Sequence, residues 1–245
     1  AASGLPRVAS MSDGVWSLLP ELPVAATAED VADHEEIRAA LRDGAAERAR
    51  LAAERHAARC AAREIESAGA PTGARGGFDH TALLYGDDEE FVATVVPFLA
   101  AGVAAGEPVL AVTGPRNREL LIAGLGADAG NVIFEAADER YRTPGETLHG
   151  YQSYVAEHAA EGRVRLLGEP IWEGRTTGEL DAWMRYESLL NVAFAALPVS
   201  VLCPYSAAAL DEQILRGARC NHPHVCAAGV SSRSADYVSP LAFPG

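Results

Sequence analysis

The chain contains no lysine: all twenty of its Lys/Arg positions are arginine, set against 34 acidic residues, for a formal net charge of −14. That absence excludes two classes of function. A phosphate-gripping P-loop needs a Gly-rich turn ending in Lys-Ser/Thr, and without lysine there is none. A nucleic-acid partner needs a basic face on the protein, and here the charge runs the other way. Long apolar runs are missing too, so nothing approaches the ~20 residues of a membrane-crossing helix. The N-terminus lacks the basic-then-apolar pattern of an export signal. Cysteine is scarce, four in 245 residues, with no disulfide framework in view. Together these features predict an acidic cytoplasmic protein with reduced thiols, no membrane contact and no direct nucleic-acid partner.

What is present has a clear organisation. The length suits one large α/β domain with an appendage. Residues 1–10 read as an expression scar ahead of Met11, and 11–70 as an N-terminal helical segment. Within it Ala28 to Ala68 reads as one long helix or two, with Thr27 as N-cap and Asp30 in the first turn. Its apolar stripe is thin (Val31, Ile37, Leu41, Leu51, Ile65), too thin to make a core alone. Three readings stand: a coiled-coil helix that pairs two chains into a homodimer, a helix laid on the main domain, or a mostly disordered helix. Residues 71–77, rich in Gly with Pro71, are the linker.

From His80 onward the pattern alternates. Strands are predicted at 80–85, 108–113, 131–136, 164–169 and 199–203. Helices are predicted at 87–105, 117–125, 145–161, 177–197 and 207–218. Continuous apolar strands alternating with amphipathic helices predict a three-layer α/β fold, its mostly parallel sheet covered on both faces. The main domain spans 78–230. Residues 231–245 carry no such signal and read as a tail or the start of a linker.

Polar and aromatic residues gather past the C-terminal ends of two strands, where open α/β sheets bind ligands. Glu169 and Trp172 flank the turn fixed by Pro170. They read either as a pocket wall or as a core-edge plug with Glu169 paired to an arginine such as Arg175. Tyr186, Glu187 and Asn191 lie on one helix, with Glu187 and Asn191 on a shared face. They read as a pocket edge or as a buried polar pair. Cys203, before Pro204-Tyr205, is a nucleophile if its pKa is lowered and a small buried hydrophobe otherwise. Arg116 and Arg118, after the strand at 108–113, suit an anion or simply a solvated helix start.

Cys220-Asn221-His222-Pro223-His224-Val225-Cys226 carries the ligand types of structural zinc sites. Four ligands within seven residues close a tetrahedron badly, so no metal is assigned; Cys220, His222, His224 and Cys226 are kept as weak candidates. His56 and Cys60 share a helix face but lack the rest of a zinc motif, because position 63 is Arg.

Taken in order, several runs form a recognisable series. It opens with His80-Thr81-Ala82-Leu83-Leu84-Tyr85, Asp87-Asp88-Glu89-Glu90-Phe91, Val96-Pro97-Phe98-Leu99 and Gly106-Glu107-Pro108-Val109-Leu110. It continues through Gly168-Glu169-Pro170-Ile171-Trp172 and the run Glu187-x-Leu189-Leu190-Asn191-x-Ala193-Phe194. It closes with Leu202-Cys203-Pro204-Tyr205, Ala209-Leu210-Asp211 and His222-Pro223. The series resembles the MEDS (methanogen/methylotroph, DcmR-type sensory) domain from Phe78 to His224. The resemblance implies a RecA/KaiC-like fold, here without a functional P-loop. It also implies a sensory role upstream of an anti-sigma-factor-type kinase domain, as in actinobacterial signalling proteins. One position departs: the family carries a His before the Glu of Glu-x-Leu-Leu-Asn, and here Tyr186 stands there.

The resulting expectation is a regulatory domain that binds a small molecule, or a signalling partner, through His80, Tyr85, Glu169, Trp172, Tyr186, Glu187, Asn191, Cys203, Tyr205 and His222. The cofactor is unspecified. The partner is an anti-sigma-type kinase domain or another protein of a sigma-factor pathway. Two other classes stand beside it: a degenerate nucleotide-binding-fold enzyme working through Cys203, Glu169 or a metal, and a ligand-free dimerisation module.

Overall fold

The structure, a computed structural model, describes residues 77–240 apart from 159 and 161, together with scattered residues between 32 and 48. The chain divides into two compact units, residues 1–74 and 75–245. The readings of 1–10 as a scar, of the linker and of His56 and Cys60 lie outside the described residues. So does most of the predicted helix, of which residues 32, 35, 36, 39, 40 and 48 are described and helical.

In the second unit seven strands form one sheet in the order β3-β2-β4-β5-β1-β6-β7. These are β1 (Asp79–Tyr85), β2 (Val109–Thr113), β3 (Ile133–Ala136), β4 (Val164–Gly168), β5 (Val199–Ser206), β6 (His224–Ala227) and β7 (Val230–Arg233). Every pairing is parallel except β6 with β7. The helices are α1 (Asp88–Ala104), α2 (Pro115–Leu125), the short α3 (Ala137–Arg140), α4 (Pro144–His158), α5 (Thr177–Ala193) and α6 (Glu212–Asn221), with a 3-10 turn at Gly126–Asn131. The α/β class and the mostly parallel sheet are as the sequence predicts.

Strand order fixes the layers. The steps β1→β2→β3 move one way across the sheet, and β3→β4→β5→β6 move the other way. Parallel crossovers are right-handed, so α1 and α2 cover one face and α4, α5 and α6 the opposite one. The packing agrees: α1 lies on α2, and α5 lies between α4 and α6. The α1 side is an apolar core built from Leu83, Phe91, Val95, Leu99, Val109, Ala111, Leu121, Leu167 and Leu202. Side chains alternate along a strand, so His80, three positions from Leu83 on β1, and Cys203, one from Leu202 on β5, lie on the opposite face and turn toward α5.

Three predicted boundaries shift for physical reasons. β5 runs on to Ser206 through Pro204. The β4 ladder ends at Leu202 while β1 pairs as far as Ser206, and a proline is tolerated where one side of a strand lacks a neighbour. Helix α6 begins only at Glu212, because Ser206–Leu210 makes turns that tie back to the strand end, with Leu210 N–H donating to Ser206 O at 3.0 Å. The run 224–233, which shows no sheet signal in the sequence, forms the β6–β7 hairpin around Ala228 and Gly229, both at positive φ.

Candidate functional site

Open α/β sheets bind ligands outside the strand ends, at the point where connections diverge to opposite faces. Here connections diverge between β2 and both its neighbours, β3 and β4, and again between β5 and β1; Glu169 fills the opening between β2 and β4. Its Oε2 accepts the Thr113 hydroxyl and, at 2.9 Å, the Gly114 N–H; its Oε1 accepts Asn117 Nδ2 at 2.6 Å. Gly114 is the N-cap of α2, so a carboxylate of the chain itself occupies the ready-made anion site of a helix start. The start of α1 is filled in the same way. The Asp87 side chain accepts the Glu90 N–H, and the Glu90 carboxylate accepts the Gly86 N–H at 2.7 Å. Arg116 pairs with Asp88 at 2.5 Å, and Arg118 lies over the Phe134 ring. Glu169 does not pair with Arg175, which stacks on Trp183 and donates to the Ile171 and Tyr141 carbonyls. Of the predicted site residues, only Tyr85 accompanies Glu169: burial raises the pKa of its phenol, and Asn117, Glu169 and Ser206 are near enough to act on it.

A second group meets deeper, between β1, β5 and the helices α5 and α6. His80, Glu187, Cys203 and His222 are at most 1% exposed, and one ligating atom from each lies within 4.8 Å of all the others. His80 Nε2 is 3.5 Å from Cys203 Sγ and 3.6 Å from Glu187 Oε2. His222 Nε2 and Cys203 Sγ stand 3.6 and 3.7 Å from the same Oε2. Four elements converge here. β1 and β5 supply His80 and Cys203, α5 supplies Glu187, and His222 caps α6. Helix α5 is set by a capping box between Thr176 and Glu179.

The hydrogen bonds around the group fix both imidazole tautomers. Asn191 Nδ2 donates to the carbonyls of Asn221 (2.7 Å) and Ser188 (3.2 Å). Its Oδ1 is therefore the acceptor at 3.1 Å from His80 Nδ1, which carries the proton. His222 Nδ1 faces the Ala218 carbonyl at 2.8 Å and must donate as well. Both Nε2 lone pairs thus point into the group. Burial lowers both imidazoles to about 3, with His80 further depressing His222. These close contacts with Glu187 are therefore not ion pairs at neutral pH. Burial also pushes the Glu187 carboxyl up to about 7, against smaller opposing effects of His222 and Cys203. It holds the Cys203 thiol well above its usual value, with Glu187 adding to the shift. A thiol kept protonated and shielded from water is a poor nucleophile.

Aromatic residues continue the group. His80 and His222 rings lie 3.9 Å apart, Tyr205 meets His222 edge-on at 5.6 Å, and Trp172 stacks on Tyr205 at 5.8 Å. A cavity of about 10 Å³, roughly the room of one water, is bordered by Tyr141, Tyr151, Tyr186, Glu187 and Cys203. Tyr141 and Tyr151 share a hydroxyl hydrogen bond of 2.8 Å. Gly168 makes room for them: a Cβ there would lie 2.7 Å from the Tyr141 oxygen. Among the described residues, buried Trp172 Nε1, Tyr186 Oη, Tyr205 Oη and His222 Nε2 have no hydrogen-bond partner. Such atoms are rare in native interiors and call for an explanation.

The structure therefore splits the predicted set. His80, Trp172, Tyr186, Glu187, Asn191, Cys203, Tyr205 and His222 gather at the buried centre; Tyr85 and Glu169 stand at the sheet edge. Cys220, His224 and Cys226 do not join His222 in a metal-ligating cluster among the described residues. Sequence reading missed Tyr141, Tyr151, Thr113 and Asn117. Only Asn117, beside a helix start that follows a strand, carried a sequence signal.

These features define an α/β domain whose own carboxylates occupy the helix starts after β1 and β2, with a sealed ionisable centre. Residues 79–223, more than half of the chain, match the family described as MEDS, the MEthanogen/methylotroph, DcmR Sensory domain. The chain belongs to this family of sensory domains. A comparison with curated proteins finds none that match. No helix among the described residues is long and apolar enough to cross a membrane.

Proposed function

We propose that this is a regulatory sensory domain of the cytoplasm whose input is a small molecule or ion arriving at the His80–Glu187–Cys203–His222 centre. Its output acts on an anti-sigma-type kinase domain, in the same chain or in a partner of a sigma-factor pathway. One observation carries the reading: four ionisable side chains from four elements are sealed together with more acceptors than donors. A centre built only to hold the fold would be internally satisfied. The cavity beside Glu187 and Cys203 limits an added molecule to about the size of water.

A route outward starts at His222. The corner that carries it also holds the C-terminal segment: Val238 N–H donates to Cys220 O at 2.9 Å, and the Ser234 hydroxyl donates to Arg219 O at 2.6 Å. A shift of His222 would bear on residues 234–238 through these bonds. The RecA/KaiC-like likeness belongs to the same proposal, supported by the parallel sheet and its helix-bearing strand ends. So does a homodimer formed through the helix predicted at 28–68. An enzyme acting through Cys203 is disfavoured by its raised pKa and its burial.

The test is made in the source cell. Chromosomal Cys203→Ser or His222→Ala should hold sigma-factor-dependent transcripts at one level, at least fivefold from the wild-type response. Cys226→Ala should respond normally. Variants that keep a wild-type melting profile and a wild-type transcript response would refute the proposal.

A further inference from the structure

The group that His80, Glu187, Cys203 and His222 surround has its own chemistry, and we infer that these four side chains bind one transition-metal cation, zinc, through His80 Nε2, His222 Nε2, Cys203 Sγ and Glu187 Oε2. The inference deepens the sensory reading by naming what the buried centre holds.

Three observations support it independently. The first is distance. Zinc bonds of about 2.0–2.1 Å to nitrogen, 2.0–2.2 Å to oxygen and 2.3 Å to sulfur give a tetrahedron whose edges are about 3.3–3.6 Å. Four edges of the group measure 3.5, 3.6, 3.6 and 3.7 Å, and the remaining two are within 4.8 Å. A contraction of a few tenths of an ångström along the measured edges, and a larger one along the remaining two, brings all four donors onto one ion.

The second is the donor count. Both Nε2 atoms are lone-pair acceptors, the Glu187 carboxyl, pushed up to about 7, is only part-protonated at neutral pH, and the one fixed proton among them is on the thiol. That proton can serve either His80 or Glu187, and His222 Nε2 remains without a hydrogen-bond partner while fully buried. A cation satisfies every lone pair at once. The charges also close: Zn²⁺ with one thiolate, one carboxylate and two neutral imidazoles sums to zero, the state a dry interior tolerates best. Binding releases the thiol proton, and any proton on the Glu187 carboxyl, to solvent.

The third is the surrounding shell. Metal-bound imidazoles usually donate their other N–H to a carbonyl or amide oxygen, which fixes the ring. His80 does so to Asn191 and His222 to Ala218. Sulfur, imidazole and carboxylate in a tetrahedral set suit zinc over the oxygen-seeking cations.

The test uses the full chain, stripped with chelator and then given zinc chloride. Wild type and Cys226→Ala should each retain one zinc per chain after gel filtration. Cys203→Ala and His222→Ala should bind at least 100-fold more weakly. Because a ligand variant can misfold, Asn191→Ala is the second probe. It leaves all four ligands in place and should weaken zinc 10–100-fold. Cobalt(II) in place of zinc should show a thiolate charge-transfer band that Cys203→Ala abolishes. A chain that retains no zinc, or a Cys203→Ala variant that binds as wild type does, overturns the inference. Zinc retention and the transcript response are separate readouts. If Cys203→Ser locks transcription in a chain without zinc, the metal fails and the sensory reading stands; if zinc binds and transcription ignores it, the reverse holds.

Discussion

Two carboxylates of this domain occupy opposite situations. Glu169 bridges β2 and β4 at the sheet edge and meets only donors: a hydroxyl, a backbone N–H and an amide. Glu187 lies in the interior and faces two imidazole lone pairs and a thiol. The first carboxylate completes a structure, because it satisfies a helix start and closes the opening between the ends of β2 and β4. The second is left needing positive charge. Residues that serve the fold have their partners inside the chain, whereas residues that serve a ligand leave a deficit for the ligand to fill.

The same isosteric change should therefore act in opposite directions at the two positions. Glu169→Gln turns an amide toward existing donors and should cost about 2–3 kcal/mol, lowering the melting temperature by roughly 5–10 °C for a domain of this size. Glu187→Gln, in protein stripped of metal, brings amide hydrogens to the imidazole lone pairs and removes a buried carboxyl. Its melting temperature should stay level or rise. Differential scanning calorimetry of the two variants decides the matter; a Glu187→Gln loss as large as that of Glu169→Gln would erase the contrast.

A smaller effect belongs to the start of α5, which positions Glu187 and Asn191. Thr176→Ala removes the N-cap and should cost about 1 kcal/mol. The Thr176 hydroxyl, and next its N–H, hold the Glu179 carboxyl below its usual pKa. A lowered folded-state pKa stabilises above the unfolded value and is lost as pH falls through the folded one. The Thr176→Ala deficit should thus be full at neutral pH and shrink on acidification below about 4.5. Urea melts at pH 7 and pH 3.5 measure it, and a deficit that does not shrink would remove Glu179 from the account.

The comparison also explains what could be read from the sequence. Apolar runs place β1 to β5, because β2, β4 and β5 are buried almost throughout and β1 over most of its length, while β3, exposed at Ile133, follows from the strand–helix alternation around it. The β6–β7 hairpin was invisible, since its strands are short and β7 is wholly exposed. The site was legible as a set of residues and not as an arrangement. His80 stands 107 positions before Glu187, and nothing in local spacing shows that β1 lies beside β5. The zinc-like run at 220–226 drew attention to its neighbours in sequence, yet only His222 enters the centre, with partners from three distant elements. Glu169 shows the converse: past a strand end it reads as a pocket wall or as an arginine's partner, and local spacing does not show the donors that meet it, from the end of β2, the turn after it and the first turn of α2.

The central claim is that the interior deficit around Glu187 is a metal site. Zinc K-edge absorption of the full-length protein tests it most directly. The account predicts a first shell of one sulfur at about 2.3 Å and three nitrogen or oxygen atoms at about 2.0–2.1 Å. A shell with no sulfur, or with two or more, would place the ion elsewhere and contradict it.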